Sequence, residues 1–367
     1  MKSFHECCGA GLLTVGLAVA ALTTSACSNG GAAGTPETQS GALHRPTLPP
    51  SPIVFTFVSV DYTNASLTEV TGINDNNGII GTYQSSPSSN FESFTASAPS
   101  YNSFSEENYD AKSVVMQSTA HGNTTASGTT REAGWAVNPD GQEPGTYGLV
   151  HDPNSNWVTL RKDEEGQYCV FMQLFGINEY GVAVGYFQAT TMGMSCTPYD
   201  LLYFNASHSY QYNITTGPPA SDNPVITGIN NYADVVGYMQ PAGQPKEGWY
   251  MLCSDRGGDT AAGCTAGYDT YVPFSLTGET VLNGINDSEE VAGTVMTGAV
   301  HQGFIENVIT GSSSLQYVNA SNGVNASTFL NGINDNNYVC GWYTVGGVNY
   351  QGFVGIPNVA PRKVHRR

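Results

Sequence analysis

Gly284-Ile285-Asn286-Asp287-Ser288-Glu289-Glu290-Val291-Ala292-Gly293 carries the pattern on which the fold of this 367-residue chain turns. Gly-Ile-Asn recurs at Gly72, Gly176, Gly228 and Gly332. In all five copies a second glycine stands nine positions on, at Gly81, Gly185, Gly237, Gly293 and Gly341. The two residues before it are small or apolar: Ile79-Ile80, Ala183-Val184, Val235-Val236, Val291-Ala292 and Val339-Cys340. Such a stretch reads as a hairpin: one strand ends in Ile-Asn, a polar turn follows, and the apolar pair opens the return strand. Asn and Asp suit the turn because their side chains bond nearby backbone and tolerate left-handed φ. The second glycine permits a bulge or leaves room for a neighbouring backbone.

Two more elements repeat downstream. One is Gly248-Trp249-Tyr250, Gly303-Phe304-Ile305 and Gly352-Phe353-Val354, with Tyr147-Gly148-Leu149-Val150 as a looser copy. The other is an aromatic, β-branched run: Phe55 to Tyr62, Trp157 to Leu160, Tyr271 to Leu276 and Leu315 to Val318. Each unit thus offers about four strands. First glycines lie 52 (176 to 228), 56 (228 to 284) and 48 (284 to 332) residues apart, and the first interval, 104 (72 to 176), is twice 52. A degenerate copy is therefore expected near residue 120, in Thr119 to Gly128, with Gly128 as its second glycine behind Ala126-Ser127. Six units over residues 53–356 predict an all-β fold, a β-propeller of about six four-stranded blades. The opening run from Phe55 is the strand that the last unit lacks, so the N-terminal strand is expected to close the ring and remove exposed edges. An open β-solenoid is the alternative.

The pattern Gly-Ile-Asn-Asp-x-x-x-Val-Val-Gly followed by a Gly-Phe strand resembles the repeats of the bacterial extracellular HAF-repeat family, over residues 53–356. The His-Ala-Phe element that names the family reads Gln302-Gly303-Phe304, Gln351-Gly352-Phe353 and Glu247-Gly248-Trp249 here, without the histidine. The resemblance implies an exported repeat protein and brings no catalytic residues with it.

Composition agrees with strands and turns. Glycine (43 residues) and tyrosine (21) are abundant, and only 11% of residues are charged, against about 25% in an average soluble domain. Exposed helix faces need more Glu, Lys and Arg than this. A net charge of −18 excludes nucleic acid as a partner, since phosphate binding needs a basic face.

Residues 1–26 read as an export signal, with Lys2 as its positive start, an apolar core from Leu12 to Leu22, and small residues Ser25-Ala26 before Cys27. Thr24-Ser25-Ala26-Cys27 resembles a lipobox, which makes Cys27 the candidate lipidation site and the membrane a partner through that anchor. Residues 27–52 are rich in Gly, Ala, Thr, Ser and Pro and are expected to be a tether. Residues 357–367 form a basic tail. These ends predict an exported chain: an outer-membrane or surface lipoprotein, or a periplasmic or extracellular protein.

Among eight cysteines, Cys253 and Cys264 flank a glycine-rich insertion and are expected to pair; Cys169 and Cys196 bracket one hairpin and form a second candidate pair. Cys340 takes an apolar repeat position and is expected to be a buried thiol. No Cys or His cluster has metal-ligand spacing, so no metal or other cofactor is expected beyond a weak case for Ca²⁺.

That case rests on the turn residues Asn74-Asp75, Asn178-Glu179, Asn230-Asn231, Asn286-Asp287 and Asn334-Asp335, which symmetry places on one rim. Their carboxylates and amides suit a cation or sugar hydroxyls, but turn chemistry repeated in each unit is the favoured reading. Tyr186, Tyr238 and Trp342 follow the second glycine; they either stack on sugars at a channel mouth or, as favoured, pack in the core. His121, Arg131, Glu132 and His151 lie in or near the degenerate unit and form a candidate non-repeat site. No nucleophile elbow, His-Glu-x-x-His or phosphate loop is present. The expected function is thus a non-catalytic binding or scaffold module at the cell envelope, for a glycan, an envelope component or a protein partner. The alternative is a glycan-directed hydrolase or lyase using rim carboxylates.

Overall fold

A repeating Gly-Ile-Asn hairpin cannot bury both its faces alone, so each unit needs neighbours. A computed structural model of the chain describes residues 52–106, 115–124, 130–137, 146–151, 158–160, 171–188, 190–191, 194–195, 217–254, 264, 267–320, 326–345 and 349–358. These residues are all-β, apart from short 3-10 turns at Ala220–Asp222 and Gly311–Ser314. They fall within one compact unit, Pro49–Arg367.

The strands in chain order are β1 (Phe55–Val60); β2 (Leu67–Ile73), β3 (Ile79–Gln84), β4 (Glu92–Ala96) and β5 (Phe104–Glu106); β6 (Val115–Thr124), β7 (Thr130–Val137), β8 (Thr146–His151) and β9 (Val158–Leu160); β10 (Phe171–Ile177) and β11 (Ala183–Gln188), with a small hairpin of β12 (Thr190–Thr191) and β13 (Met194–Ser195). They continue with β14 (Val225–Ile229), β15 (Val235–Met239), β16 (Glu247–Met251) and β17 (Val272–Phe274); β18 (Glu279–Ile285), β19 (Glu290–Thr297), β20 (Val300–Asn307) and β21 (Gln316–Val318); and β22 (Ser327–Ile333), β23 (Val339–Val345) and β24 (Asn349–Pro357). Strands β2–β5, β6–β9, β14–β17 and β18–β21 each form a four-stranded antiparallel meander. The last unit supplies only β22, β23 and β24, and its fourth strand is β1, paired from Phe55↔Pro357 to Val60↔Gly352.

The first strands of the units pack in succession: β2 on β6, β6 on β10, β10 on β14, β14 on β18, β18 on β22, and β22 on β2. Core clusters lie between facing sheets. Val182 and Val184 meet Ile226, Val235, Trp249 and Met251. Val236 meets Leu282, Val291 and Phe304, while Ala292 and Ile305 meet Leu330, Val339 and Phe353. Cys340 and Val354 of the last unit meet Val70, Ile79 and Phe94 of the first.

Both glycines of the motif have steric causes. The inner strands approach so closely that a Cβ on Gly228 would lie 3.0 Å from the Gly284 Cα, and one on Gly284 3.1 Å from the Gly332 Cα. The second glycine faces a bulge, where the register skips one residue between Val70/Gly72, Leu174/Gly176, Ile226/Gly228, Leu282/Gly284 and Leu330/Gly332. A Cβ there would collide with the carbonyl oxygen two residues before the bulged one, that of Glu69, Gln173, Val225, Val281 or Phe329.

The second unit corrects one expectation. Its bulge lies between Ser118 and Ala120, with Ser118 opposite Gly134 and Ala120 opposite Ala133. Ala120 therefore stands where the other units have their first glycine, and Gly134, not Gly128, is the second. The hairpin continues past this point, through His121↔Glu132 to Thr124↔Thr130, instead of closing in a tight Asn turn.

Candidate functional site

The five Gly-Ile-Asn turns meet at one end of the first strands. Each asparagine is at least 95% buried. Its side-chain oxygen accepts two backbone N–H groups of its own turn, as with Asn286 from Ser288 (3.0 Å) and Glu290 (3.0 Å), or Asn334 from Asn336 (3.0 Å) and Tyr338 (2.9 Å). The residue three positions on adopts left-handed φ: Asn77 61°, Gly181 83°, Ala233 61°, Glu289 56° and Asn337 59°. The amide nitrogen then donates to the asparagine carbonyl of the next unit. The chain runs Asn178 to Asn230 (3.2 Å), Asn230 to Asn286 (3.0 Å), Asn286 to Asn334 (3.1 Å) and Asn334 to Asn74 (2.7 Å).

The next residue of each turn makes a second, parallel chain. Glu179 donates its backbone N–H to Asn231 Oδ1 (3.1 Å), Asn231 to Asp287 Oδ1 (2.8 Å), Asp287 to Asp335 Oδ1 (2.7 Å) and Asp335 to Asp75 Oδ1 (2.7 Å). A third chain comes from bulge residues that the motif did not single out. Thr227 donates to the Leu282 carbonyl (2.5 Å), Asn283 to that of Leu330 (2.7 Å) and Asn331 to that of Val70 (2.9 Å). Their only signal in the sequence is a polar residue directly before four of the five Gly-Ile-Asn copies, the exception being Phe175.

Together the five turns line a depression of about 60 Å³, floored by Ile73, Ile177, Ile229, Ile285 and Ile333. Burial raises the carboxyl pKa of Asp287 to about 7, with the Asp335 charge adding to it. Asp335 is raised to about 6 by burial and by Asp75, and Asp75 and Glu179 are raised by the same two causes, burial first. The row of turns from Glu179 to Asp75 thus carries mutually repelling carboxyls held together by backbone N–H donors. Among the described side chains, no three His, Cys, Asp or Glu groups converge as a metal site.

The aromatic candidates are spread out. Tyr186 stacks on Phe175 (6.2 Å between centroids), Tyr238 lies under the Lys246 ammonium (4.8 Å), and Trp342 stacks on Phe329 (3.7 Å) beside Tyr350 (5.4 Å). All three are half-buried against neighbours, and none of them lines the depression formed by the turns.

The non-repeat candidates divide. His121, Glu132 and His151 are register partners on the adjacent strands β6, β7 and β8. Glu132 is buried, and its Oε2 lies 3.9 Å from His151 Nδ1. Arg131, one residue away on β7, belongs to the opposite face. Its guanidinium donates to the Glu179 carbonyl oxygen and packs on Gly181, so it extends the belt of turns instead of joining the other three.

Cys253 and Cys264 form a disulfide (S–S 2.08 Å) at the base of the insertion between β16 and β17. Cys340 is a fully buried free thiol, its pKa pushed up by burial. Cys27, Cys169 and Cys196, and nearly all of the expected signal, tether and tail, lie outside the described residues.

No known protein family and no curated protein matches the chain. Solved structures that resemble it distantly include two carbohydrate-related proteins. One comes from work titled as concerning the GH130 family of mannoside phosphorylases, said to contain glycoside hydrolases that target β-1,2 mannosidic linkages in Candida mannan. It shares 9% identity at a TM-score of 0.32, over 82% of this chain and 88% of that one. The other is a glycosyl hydrolase from Bacteroides ovatus, with 8% identity at a TM-score of 0.21, over 85% of this chain and 86% of that one. Likeness at this level says nothing of activity.

Proposed function

We propose that the chain is an exported six-bladed β-propeller, tethered through Cys27, that serves as a non-catalytic binding or scaffold module at the cell envelope. Its ligand would be a glycan, an envelope component or a protein partner held on one face. The cyclic packing of first strands and the pairing of β1 with β24 support the ring. The resemblance to HAF repeats and the lipobox-like Thr24-Ser25-Ala26-Cys27 support export and anchoring.

One observation carries the non-catalytic reading. The rim carboxylates that a glycosidase would need as acid and base are tied to structure: Asp75, Asp287 and Asp335 each accept a backbone N–H from another unit at 2.7–2.8 Å. A general acid or base must reach the substrate, and these oxygens hold neighbouring turns instead. The same bonding accounts for the acidic rim without Ca²⁺.

The chain is tested on a glycan array and, in parallel, for turnover of the same oligosaccharides. Binding or pull-down of an envelope component without turnover supports the proposal. Turnover that Asp335→Asn or Asp287→Asn abolishes while leaving the fold intact contradicts it and supports the hydrolase or lyase.

A further inference from the structure

The junction leading from β1 into the first unit is packed unlike the later ones. The residue entering a unit donates its backbone N–H to a threonine of that unit's first strand: Tyr62 to Thr68 (3.1 Å), Leu276 to Thr280 (3.3 Å) and Ala320 to Thr328 (3.1 Å). Opposite these threonines, on the second strand, stand Tyr83, Val295 and Tyr343. Opposite those, on the third strand, stand Glu92, Gln302 and Gln351. The fifth unit thus opens on Leu276 and Val295, and the sixth on Ala320 and a Tyr343 that bonds a neutral amide, Gln351. Of these three, the first unit alone sets two tyrosines together beside a carboxylate.

The two rings lie face to face, with centroids 3.7 Å apart and planes 10° from parallel. The Tyr62 hydroxyl donates to Glu106 Oε1 at 3.0 Å. The Tyr83 hydroxyl donates to Glu92 Oε2 at 2.5 Å and reaches the same Glu106 Oε1 at 3.4 Å. Parallel rings whose hydroxyls share one oxygen point the same way, so the ring carbons beside the two hydroxyls face each other. Aromatic pairs otherwise prefer offset or edge contacts, and here the shared carboxylate aligns them. Burial first, and then the bond to Glu92, raise the Tyr83 phenol pKa, so this hydroxyl keeps its proton. Each phenol therefore has a carboxylate in place to take that proton: Glu106 for Tyr62 and Glu92 for Tyr83.

We infer that Tyr62 and Tyr83 are an oxidative cross-linking site, joined as dityrosine by a one-electron oxidant of the peroxidase class acting with hydrogen peroxide. Each phenol gives one electron to the oxidant and its proton to its carboxylate. The two phenoxyl radicals couple through facing ortho carbons, forming one C–C bond. The two ortho hydrogens then move as protons to the oxygens and restore the phenols. The pair loses two electrons and two protons in all, and hydrogen peroxide takes them up to give two waters. Tyr62 is half-exposed and Glu106 exposed, so the oxidant has access to the outer ring, and buried Tyr83 is reached through the stack. The chemistry belongs to an oxidising setting, as does the Cys253–Cys264 disulfide. The bond would pin the turn by which the chain leaves β1 against the first unit. It depends neither on ring closure nor on any glycan.

The test exposes the full chain, dilute, to a haem peroxidase with limiting hydrogen peroxide, and reads dityrosine fluorescence, gel mobility and peptide mass. One cross-link within the chain is expected, mapped to Tyr62 and Tyr83 as a joined peptide pair lighter by two hydrogens. Tyr62→Phe should abolish that product. Tyr343→Phe, whose hydroxyl meets an amide, should react as the parent does. Glu92→Gln combined with Glu106→Gln should slow coupling by about 100-fold, the lower end of what a positioned proton acceptor contributes. An unchanged rate in that double variant, shown folded by its melting curve, overturns the carboxylates as acceptors. Should it not fold, the half-exposed Tyr62→Phe decides. No intrachain product, a product mapped to other tyrosines, or full yield from Tyr62→Phe overturns the site.

Discussion

The buried asparagine is the residue on which the repeat depends. Asn286 accepts two backbone N–H groups and donates to the Asn334 carbonyl, so one side chain shapes its own turn and joins the next unit. Asn286→Ala should cost about 2–4 kcal/mol, because several groups are left unsatisfied at once. Asn286→Asp keeps the acceptor but turns the donor into an oxygen facing the Glu290 carboxylate and the Asn334 carbonyl, and should cost at least as much, as read by denaturant unfolding. The carboxyls beside these asparagines set a pH dependence of unusual sign. Asp287 (about 7) and Asp335 (about 6) titrate above the ordinary aspartate range, and Glu69, also buried, titrates at about 7. A raised folded-state pKa means that the folded chain holds more protons than the unfolded chain between about pH 4 and 7. Stability from these groups is complete below the unfolded pKa and is lost as pH rises through the folded one. Melting temperature should therefore rise when pH is lowered from 7.5 to 5. Asp335→Asn, which keeps an oxygen for the Asp287 N–H, should flatten that rise and raise Tm at pH 7.5 by about 1–2 °C, the equivalent of about 1 kcal/mol in a domain of this size. A Tm that falls on acidification to pH 5 would refute the repelling-carboxyl reading. Adding millimolar Ca²⁺ should leave Tm unchanged, since Asp75, Asp287 and Asp335 each already hold a backbone N–H of another turn.

At the scale of elements, the hairpin was legible because its constraints are local. Turn residues, the apolar pair and both glycines sit within ten positions, and each has a steric or hydrogen-bonding cause visible in the chain itself. A paired test separates the glycines that space requires from those that conformation requires. Gly237→Ala would drive a Cβ into the Val225 carbonyl and should cost about 3 kcal/mol. Gly298 has φ +68° but open space around it, so Gly298→Ala should cost only about 1 kcal/mol. Comparable losses would mean that the bulge relaxes freely. The second unit was placed correctly near residue 120 but misregistered, because its two bulge partners, Ala120 and Gly134, are 14 residues apart where other copies have nine. A longer hairpin leaves no fixed spacing to find. His121, Glu132 and His151 stood out only by their place in the drifted unit: they are 11 and 19 residues apart, and only strand register makes them neighbours.

At the scale of the whole molecule, the phase of the repeat foretold that the N-terminal strand would complete the last unit, and β1 does pair with β24 over six residues. The inter-unit hydrogen bonds were not legible, because they join residues about 50 positions apart, and some 260 where the last unit meets the first, whose individual roles look like ordinary turn chemistry. Removing β1 leaves the β24 edge unpaired beside Phe353 and Val354, so a chain starting at Asp61 should aggregate or self-associate in light scattering, whereas the parent should not. Closure through the two ends is tested most directly by a distance. Spin labels carried on non-canonical residues at Thr56 and Asn358, whose side chains hydrogen-bond at 2.7 Å, are measured by pulsed dipolar spectroscopy in solution. A closed ring predicts a single short distance, set by label length plus an inter-strand spacing of about 4.8 Å. A linear stack of six sheets at about 10 Å each would place the labels about 50 Å apart, and that result would contradict the ring.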